Sequence, residues 1–495
     1  MEVCEGQDLT FFLEQTIRYN FSTRIAHLRV SQQQGLLQQQ RSLFNWVGGL
    51  SAGISSAQIP LSAYDKEVLS LHQDLFRADG LYYQITGKKT FSAGQELLMS
   101  VGVQYQSFSY LPGNGYRGDI RFTLIQPLLQ GAGKKGLYAG TIIQQSLLKS
   151  EENKFKAEVS FQIYRTAESY IRWATLRSQI NAMLEAETRY EQLFSNIQEL
   201  ADAGKLKQSD TIPIKASLSN QKRKRLETEI KLNEIAAQLI LNTGTNQAEI
   251  RPTPDIERIT LVPINKITNR KQYLQFAEQN RFDLKTTEYQ AIAYTKLLEQ
   301  SKQLSLPKLD LTGSIGLTGQ SFRYQDEPFA GKYLIQPLYA SPIGPSFVAG
   351  ISLSFPPQKD LAKGKQLEAQ SLLEQTRLRN DYLKNSLEIN ISLQLKNIEL
   401  SYQGWEKAAE TVSSYQKIIE NEQIKLELGK STILDLLYAH NILMEASIDK
   451  IQAKMNYLLS TLALRAECGM LVYFVNDEAV LYPKLLTGLP ELPNE

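Results

Sequence analysis

Few side chains of this 495-residue sequence stand close enough together to do chemistry in concert. The three histidines, His27, His72 and His440, are far apart, which excludes a local histidine metal motif. Cys4 and Cys468 lie at opposite ends and can build neither a disulfide framework nor a four-thiolate site. Gly131, Gly133 and Gly136 do satisfy G-x-G-x-x-G, after an alternating run and at the start of a helical one. A dinucleotide site needs that helix to end and feed a parallel strand within about thirty residues. Here the helical pattern runs on toward Ala201, so the glycines read as a tight strand-to-helix turn. Two aspartates complete the set. Thr432-Ile433-Leu434-Asp435 has capping-box spacing, threonine closing on the helix start and the acid reaching back. Asp210, beside Ser209, also reads as a cap. No nucleophile, base and electrophile converge, so the sequence predicts no enzyme, no metal and no cofactor.

The elements that hold these residues say more. Lys and Arg number 54 against 52 Asp and Glu, a balance that argues against a nucleic-acid partner. No run reaches the roughly eighteen apolar residues of a membrane-spanning helix. A strand-based membrane barrel stays open, because its strands carry polar residues at every second place and leave no long apolar run. Met1–Gln7 has neither the basic start nor the apolar core of a secretory signal. Either the protein is cytoplasmic, or its leader has been removed or the start codon misplaced, and Cys4 invites a lipoprotein reading beside that of an ordinary terminal cysteine.

The chain reads as a duplicated unit. Gly204 and Gly429, Lys205 and Lys430, Asp210 and Asp435, Leu218 and Leu443, Leu239 and Leu464, and Gly244 and Gly469 all share one offset. Upstream, Tyr170/Trp173 and Tyr402/Trp405 repeat with the first half one heptad longer, which leaves a heptad stripe unrotated. Both tryptophans read as packing residues between helices. Each half predicts a long helix. From Lys363 to Leu428 there is no proline, and apolar residues step by four and three through Ile398, Tyr402, Trp405, Ala409, Val412 and, a heptad on, Ile419. Tyr190, Leu193, Ile197 and Leu200 do the same in the first half. Such a helix is about 100 Å long at ~1.5 Å per residue. It breaks at Gly204 or Gly429 and returns to Gly244 or Gly469, which makes two long helical hairpins.

A strand pair precedes each hairpin. Leu97, Met99, Val101, Val103 and Tyr105 alternate with more polar neighbours, and alternation resumes at Ile120, Phe122 and Leu124 up to Pro127. Leu309, Leu311, Gly313, Ile315 and Leu317, then Ile351, Leu353 and Phe355, form the second pair. These runs suit tilted transmembrane strands or half-buried strands of a water-exposed sheet. Between the second pair, Phe322, Tyr324, Phe329, Tyr333, Tyr339 and Phe347 could form an interfacial girdle or a small satellite core. Four strands cannot close a barrel and open edges are not viable in lipid, so membrane strands would have to be shared among chains. Three chains would supply about twelve strands. Residues 45–96 exceed this plan, and Ser92–Gly102, with Gly94, adds a strand or an elaborated segment.

This ordered set resembles the TolC-like outer-membrane efflux family over nearly the whole chain. Gln126–Gly131 and Gly350–Pro357 are similar to its strand-to-helix junctions, Gly204–Asp210 and Gly429–Asp435 to its hairpin tips, and Gln279–Leu284 with Leu306-Pro307 to its mid-chain helix. The resemblance implies a mixed α and β membrane protein. Long coiled-coil hairpins would form a periplasmic α-barrel, and four strands per chain a shared trimeric β-barrel. It divides the chain into 1–133 (elaborated at 45–96), a first hairpin 134–244, an equatorial linker 245–307, a strand pair 308–358, a second hairpin 359–469 and a tail 470–495. It implies a homotrimer in outer-membrane lipid, extending into the periplasm, for efflux or secretion with a periplasmic adaptor and an inner-membrane transporter. Gly204, Lys205, Gly429 and Lys430 would contact the adaptor, and Asp435 and Asp210 would be the channel gate, with Asp435 in a ring of three acids. Tyr438 stands where a second ring would need an acid, and Ser431 where a locking arginine would stand. Capping and gating both stay open for Asp435. A coiled-coil scaffold or tethering protein, needing only the helices, is the alternative.

Overall fold

The computed structural model describes residues 9–70, 72, 74–109, 114–203, 207–244, 256, 259, 261, 270–323, 335–339, 342–355 and 357–483. The linker 245–269 is thus almost wholly outside the described residues, as are Cys4, Gly204, Lys205, Tyr324, Phe329 and Tyr333. Two compact units emerge. One comprises Gln32–Lys149 and Tyr289–Arg377, the other Met1–Ser31, Ser150–Glu288 and Leu378–Glu495.

The first unit is built on strands. β1 (Trp46–Pro60) and β2 (Leu75–Thr90) are joined through α3 (Ala63–Leu69), and β3 (Glu96–Phe108), β4 (Asn114–Pro127), β5 (Lys308–Arg323) and β6 (Ile343–Ser354) follow. Among the described residues they form one antiparallel sheet of six strands in the order β1-β2-β3-β4-β5-β6. The expected four strands are all present as β3 to β6. The correction is the added β1–β2 hairpin, which occupies most of 45–96. Ser92–Gly102 is no extra strand: its first residues make the β2–β3 turn, where Phe91 N–H donates to Gln95 C=O and Gly94 N–H to Phe91 C=O. Gly94 takes φ +91°, and a Cβ there would run into the Gly131 carbonyl, so only glycine fits.

The glycine-rich stretch also finds its structural role in this unit. Gly131 (φ +85°) and Gly133 (φ +69°) turn the chain from β4 into α4 (Leu137–Asp202), and Gly133 N–H donates to Ala93 C=O. Every strand pairing here is antiparallel, so the parallel β-α-β unit of a dinucleotide site does not exist among the described residues.

Helices make the second unit. α1 (Leu9–Tyr19), most of α4, α5 (Ile212–Thr243), α6 (Arg270–Asn280), the start of α7 (Phe282–Gln303), much of α8 (Asp360–Glu427) and α9 (Ile433–Glu467) contribute, and α2 (Phe21–Ser42) begins here. A four-three spacing places Val159, Ile163, Ala167, Tyr170 and Ala174 of α4 in the same core as Leu387, Ile391, Leu395 and Ile398 of α8. The duplication is visible in the aromatics: Tyr170 and Trp173 rings lie 6.4 Å apart, Tyr402 and Trp405 5.9 Å. Of the helix ends, Gly244 closes α5 with one bond to Ile240 C=O, whereas Gly469 closes α9 with a paired set, Gly469 N–H to Ala466 and Met470 N–H to Arg465. The mid-chain motif supplies a clamp. Arg281 holds Asp283 with two bonds (3.0 and 2.6 Å) and pairs with Glu467 at the end of α9, which also accepts from Asn390. Val472–Val475 (β7) and Glu478–Leu481 (β8) form a small hairpin after it.

Candidate functional site

Two places could carry function: the ends of the helical hairpins in one unit and the faces of the sheet in the other. At the second hairpin tip the chain leaves α8 through Gly429, at φ +70°. Gly429 N–H donates to Leu426 C=O and Lys430 N–H to Lys425 C=O, which satisfies the last carbonyls of a 68-residue helix. An L-residue at that φ is strained by about 1 kcal/mol. Gly429→Ala is therefore expected to lower the tip's stability by that amount, read as faster amide exchange over Leu426–Lys430 while the body of α8 stays protected.

Three residues on, Thr432 begins α9. Its Oγ1 accepts from Asp435 N–H at 3.2 Å, and Asp435 Oδ2 accepts from Thr432 N–H at 3.1 Å and from the threonine hydroxyl at 2.6 Å. The capping box expected from spacing is present. The hydroxyl and then the amide of Thr432 hold the exposed Asp435 carboxyl below its ordinary value. Ser431 reaches back to Glu422, donating at 2.6 Å, while Lys425 donates to the same carboxylate at 2.7 Å. Those two bonds, that from Lys425 foremost, hold Glu422 below its ordinary value too. The half-buried Glu422 and the exposed Asp435, with Lys425 and Lys430 close by in sequence, thus make this tip a cluster of charges around one polar turn.

The first tip is built differently. Gln208–Thr211 forms a 3-10 turn that contains the Asp210 backbone; the Asp210 side chain is outside the described residues. The cap of α5 is Thr211, not Asp210. Its φ −79° and ψ −22° are already helical, it makes no side-chain cap bond, and its hydroxyl donates to Gln208 C=O at 2.8 Å. Pro213 in the first turn explains the difference, since it needs no N–H partner and starts the helix unaided. Near the tips the two hairpins pack on each other through Tyr190, Ile197, Ile214 and Leu437, and Gln221 donates to Asn441 at 3.0 Å. His440 is buried there, its ring 5.9 Å from that of Tyr190.

The register of the sheet separates two chemistries. Directly opposed residues share a face. Gly48, Gly87, Met99, Phe122, Ile315 and Phe347 form one row, and Leu50, Ile85, Val101, Ile120, Leu317 and Pro345 the next. Between them on the opposite face runs Gly49, Thr86, Ser100, Arg121, Gly316 and Ser346, and beyond it Ser51, Gln84, Gly102, Asp119, Thr318 and Gly344. The apolar face is open: Leu50 is 79% exposed, Ile54 86%, Phe347 74% and Ile351 72%. Lys89 is a charge at one border of it; its amine donates to Phe44 C=O and lies over the Trp46 ring. Farther along, Gly118 and Gly319 face each other and make a notch filled by Pro337 and Leu338. Of the expected aromatic girdle, Phe322, Tyr339 and Phe347 are described, and all three are exposed. No helix of the described residues is long and apolar enough to cross a membrane.

This architecture matches solved structures of outer-membrane channels. The Campylobacter jejuni CmeC outer membrane channel aligns with TM-score 0.68 and 14% identity over 94% of this chain and 86% of its own. VceC, the outer membrane protein from Vibrio cholerae, gives 0.65 and 14% over 93% and 96%, and the open state of the Neisseria gonorrhoeae MtrE outer membrane channel 0.65 and 11% over 93% and 88%. The fold is that of the TolC-like outer-membrane channels. No family model and no curated protein matches the sequence, so at these identities the likeness is one of fold. Within the TolC-like fold, long hairpins of paired helices and a strand meander are the shared parts.

Proposed function

We propose that the chain is one subunit of a homotrimeric outer-membrane channel that passes small molecules or proteins across the outer membrane and periplasm. One observation carries this reading: a continuous sheet with an exposed apolar face, a polar face and two open edges. Water makes such a face costly at about 25 cal/mol per Å² left uncovered, whereas lipid covers it without penalty. Open edges in lipid demand further strands, which further copies of the chain supply. The polar face, with Arg121, Asp119 and Gln84, then lines an aqueous path. The TolC-like fold supports the same role, and the solved channels of that fold supply the outer-membrane setting. A scaffold reading leaves the exposed apolar rows without purpose. Purified full-length protein in planar lipid bilayers is expected to form conducting pores, and membrane fractions to require detergent for its release. Release by plain buffer with no conductance would overturn the reading.

The hairpin tips take the remaining roles. Gly429 and Lys430, with Gly204 and Lys205 at the equivalent place in the duplicated unit, dock a periplasmic adaptor that joins the channel to an inner-membrane transporter. Asp435 both caps α9 and, repeated about a threefold axis, forms a ring of acids with Asp210 nearby in the gate. The capping bonds engage Oδ2, so the carboxylate stays ionised and able to attract cations. Asp435→Ala is expected to weaken block by multivalent cations at least tenfold, measured as the blocking concentration in single-channel recordings. Unchanged block would leave Asp435 as a cap alone.

A further inference from the structure

We infer that β1 is the lateral edge at which one copy of the chain joins β6 of the next, so that three copies close an eighteen-stranded barrel. This rests on the trimeric-channel reading and adds its wall: a second copy of this chain is the occupant of both sheet edges. Three observations carry it. First, among the described residues β1 and β6 each have a strand neighbour on one side only, and the ladder between them is unbroken. A barrel edged by β3 would have to break the whole Ala78–Thr90 ladder with Glu96–Phe108.

Second, the two edge strands of the sheet are the two without charge. β2 carries Arg77, Asp79, Lys88 and Lys89, β3 Glu96, β4 Arg117, Asp119 and Arg121, and β5 Lys308, Asp310 and Arg323. β1 and β6 have no charged residue; β1 has no proline before its last residue, Pro60, and β6 has one, Pro345, three residues into the strand. Charge on the edge, lysine above all, is a common device for keeping an edge strand free, and neither edge strand uses it.

Third, the β1–β2 hairpin continues the face chemistry of the other four strands in register. Trp46, Gly48, Leu50, Ala52 and Ile54 extend the apolar rows, and Gly49, Ser51, Gly53 and Ser55 the polar ones. Beyond Ile54 both strands turn polar together, with Ser56 opposite Asp79 and Gln58 opposite Arg77. A nine-residue apolar span bounded by polar residues matches the roughly 9–11 residues of a tilted membrane strand. Eighteen strands about 4.8 Å apart and tilted ~40° close at a backbone diameter of about 36 Å, against about 24 Å for twelve. That is the size class whose interior is an aqueous channel without a plug.

Image reconstruction of the purified full-length protein in detergent tests this directly. A threefold barrel of eighteen strands is expected. A threefold barrel of twelve, with the β1–β2 hairpin outside the wall, overturns the inference and leaves the channel reading standing; a particle with no shared barrel overturns both. Cysteine pairing in membranes gives a second readout, in a Cys4→Ser background. Ser51→Cys or Ser55→Cys on β1, combined with Ser346→Cys or Ser352→Cys on β6, is expected to give oxidation-dependent, covalently linked trimers for at least one combination. Ser100→Cys on β3 with the same β6 positions is expected to give none. Linkage through Ser100→Cys, or no linkage from any β1 combination, counts against β1 as the edge.

Discussion

Ile315→Arg will cost about 2–4 kcal/mol per chain, while Ser314→Arg, one residue away on β5, will cost less than about 1 kcal/mol. Ile315 is 59% exposed, opposite Phe122 on one side and Phe347 on the other. In water an exposed site of this kind accepts arginine within about half a kcal/mol. In lipid the guanidinium must be desolvated or pull water into the bilayer, at a cost set by depth, and Ile315 lies mid-strand where that cost is largest. Ser314 sits on the polar face beside Thr123 and Val348, where a charge meets water. The asymmetry between neighbours is therefore the measurement, taken from urea titrations of protein refolded into lipid vesicles. Equal and small costs would mean that the apolar face meets water. Because each chain carries the substitution, a homotrimer feels it three times, and assembly of the Ile315→Arg protein should fail before its helices unfold.

What the sequence disclosed follows from signal strength. Leu97 to Tyr105 and Leu309 to Leu317 alternate large apolar with polar residues, and both became strands where alternation placed them. Trp46 to Ile54 alternates as well, but glycine, alanine and serine fill five of its nine places, and the amplitude is lost. β2 hides its pattern in another way, since Tyr82 and Tyr83 fall on opposite faces and blur the period. At the second tip, local spacing sufficed: threonine and aspartate three apart are a complete device. Ser431 bonding Glu422 was out of reach, because the turn at Gly429 has to fold before the two meet. At the first tip, the duplication itself misled. Asp210 matches Asp435 in offset, yet Ile212-Pro213 starts its helix later and gives the cap to Thr211.

Acid will loosen the packing of the two hairpins near their tips, and His440→Leu will abolish that response. His440 is 6% exposed against Tyr190, and among the described residues its Nδ1 has no hydrogen-bond partner. Burial, with a smaller contribution from the positive charge of Arg189, lowers its pKa from 6.5 to about 4. Above pH 6.5 the imidazole is neutral in folded and unfolded chains alike, and it adds no pH dependence. Between 6.5 and 4 the unfolded chain binds a proton that the folded chain refuses, so stability falls with pH by up to ~1.4 kcal/mol per unit and about 3 kcal/mol in all. Asp435 acts below this window, and Glu422 only at its acid end, below the pH of about 4.8 used for the measurement. Both are held below their ordinary values of 3.8 and 4.5, so their stabilisation is complete above those values and is lost only at lower pH. Tyr190, raised to about 12 by burial, is neutral throughout. Amide exchange across Leu436–Leu443 at about pH 7 and about pH 4.8, either side of the free imidazole's titration, should show protection lost in the parent protein and retained in His440→Leu once intrinsic rates are corrected. Equal loss in both would assign the acid response to other groups. A leucine fills the site without a polar atom to bury, so the variant should also be the more stable of the two at acid pH.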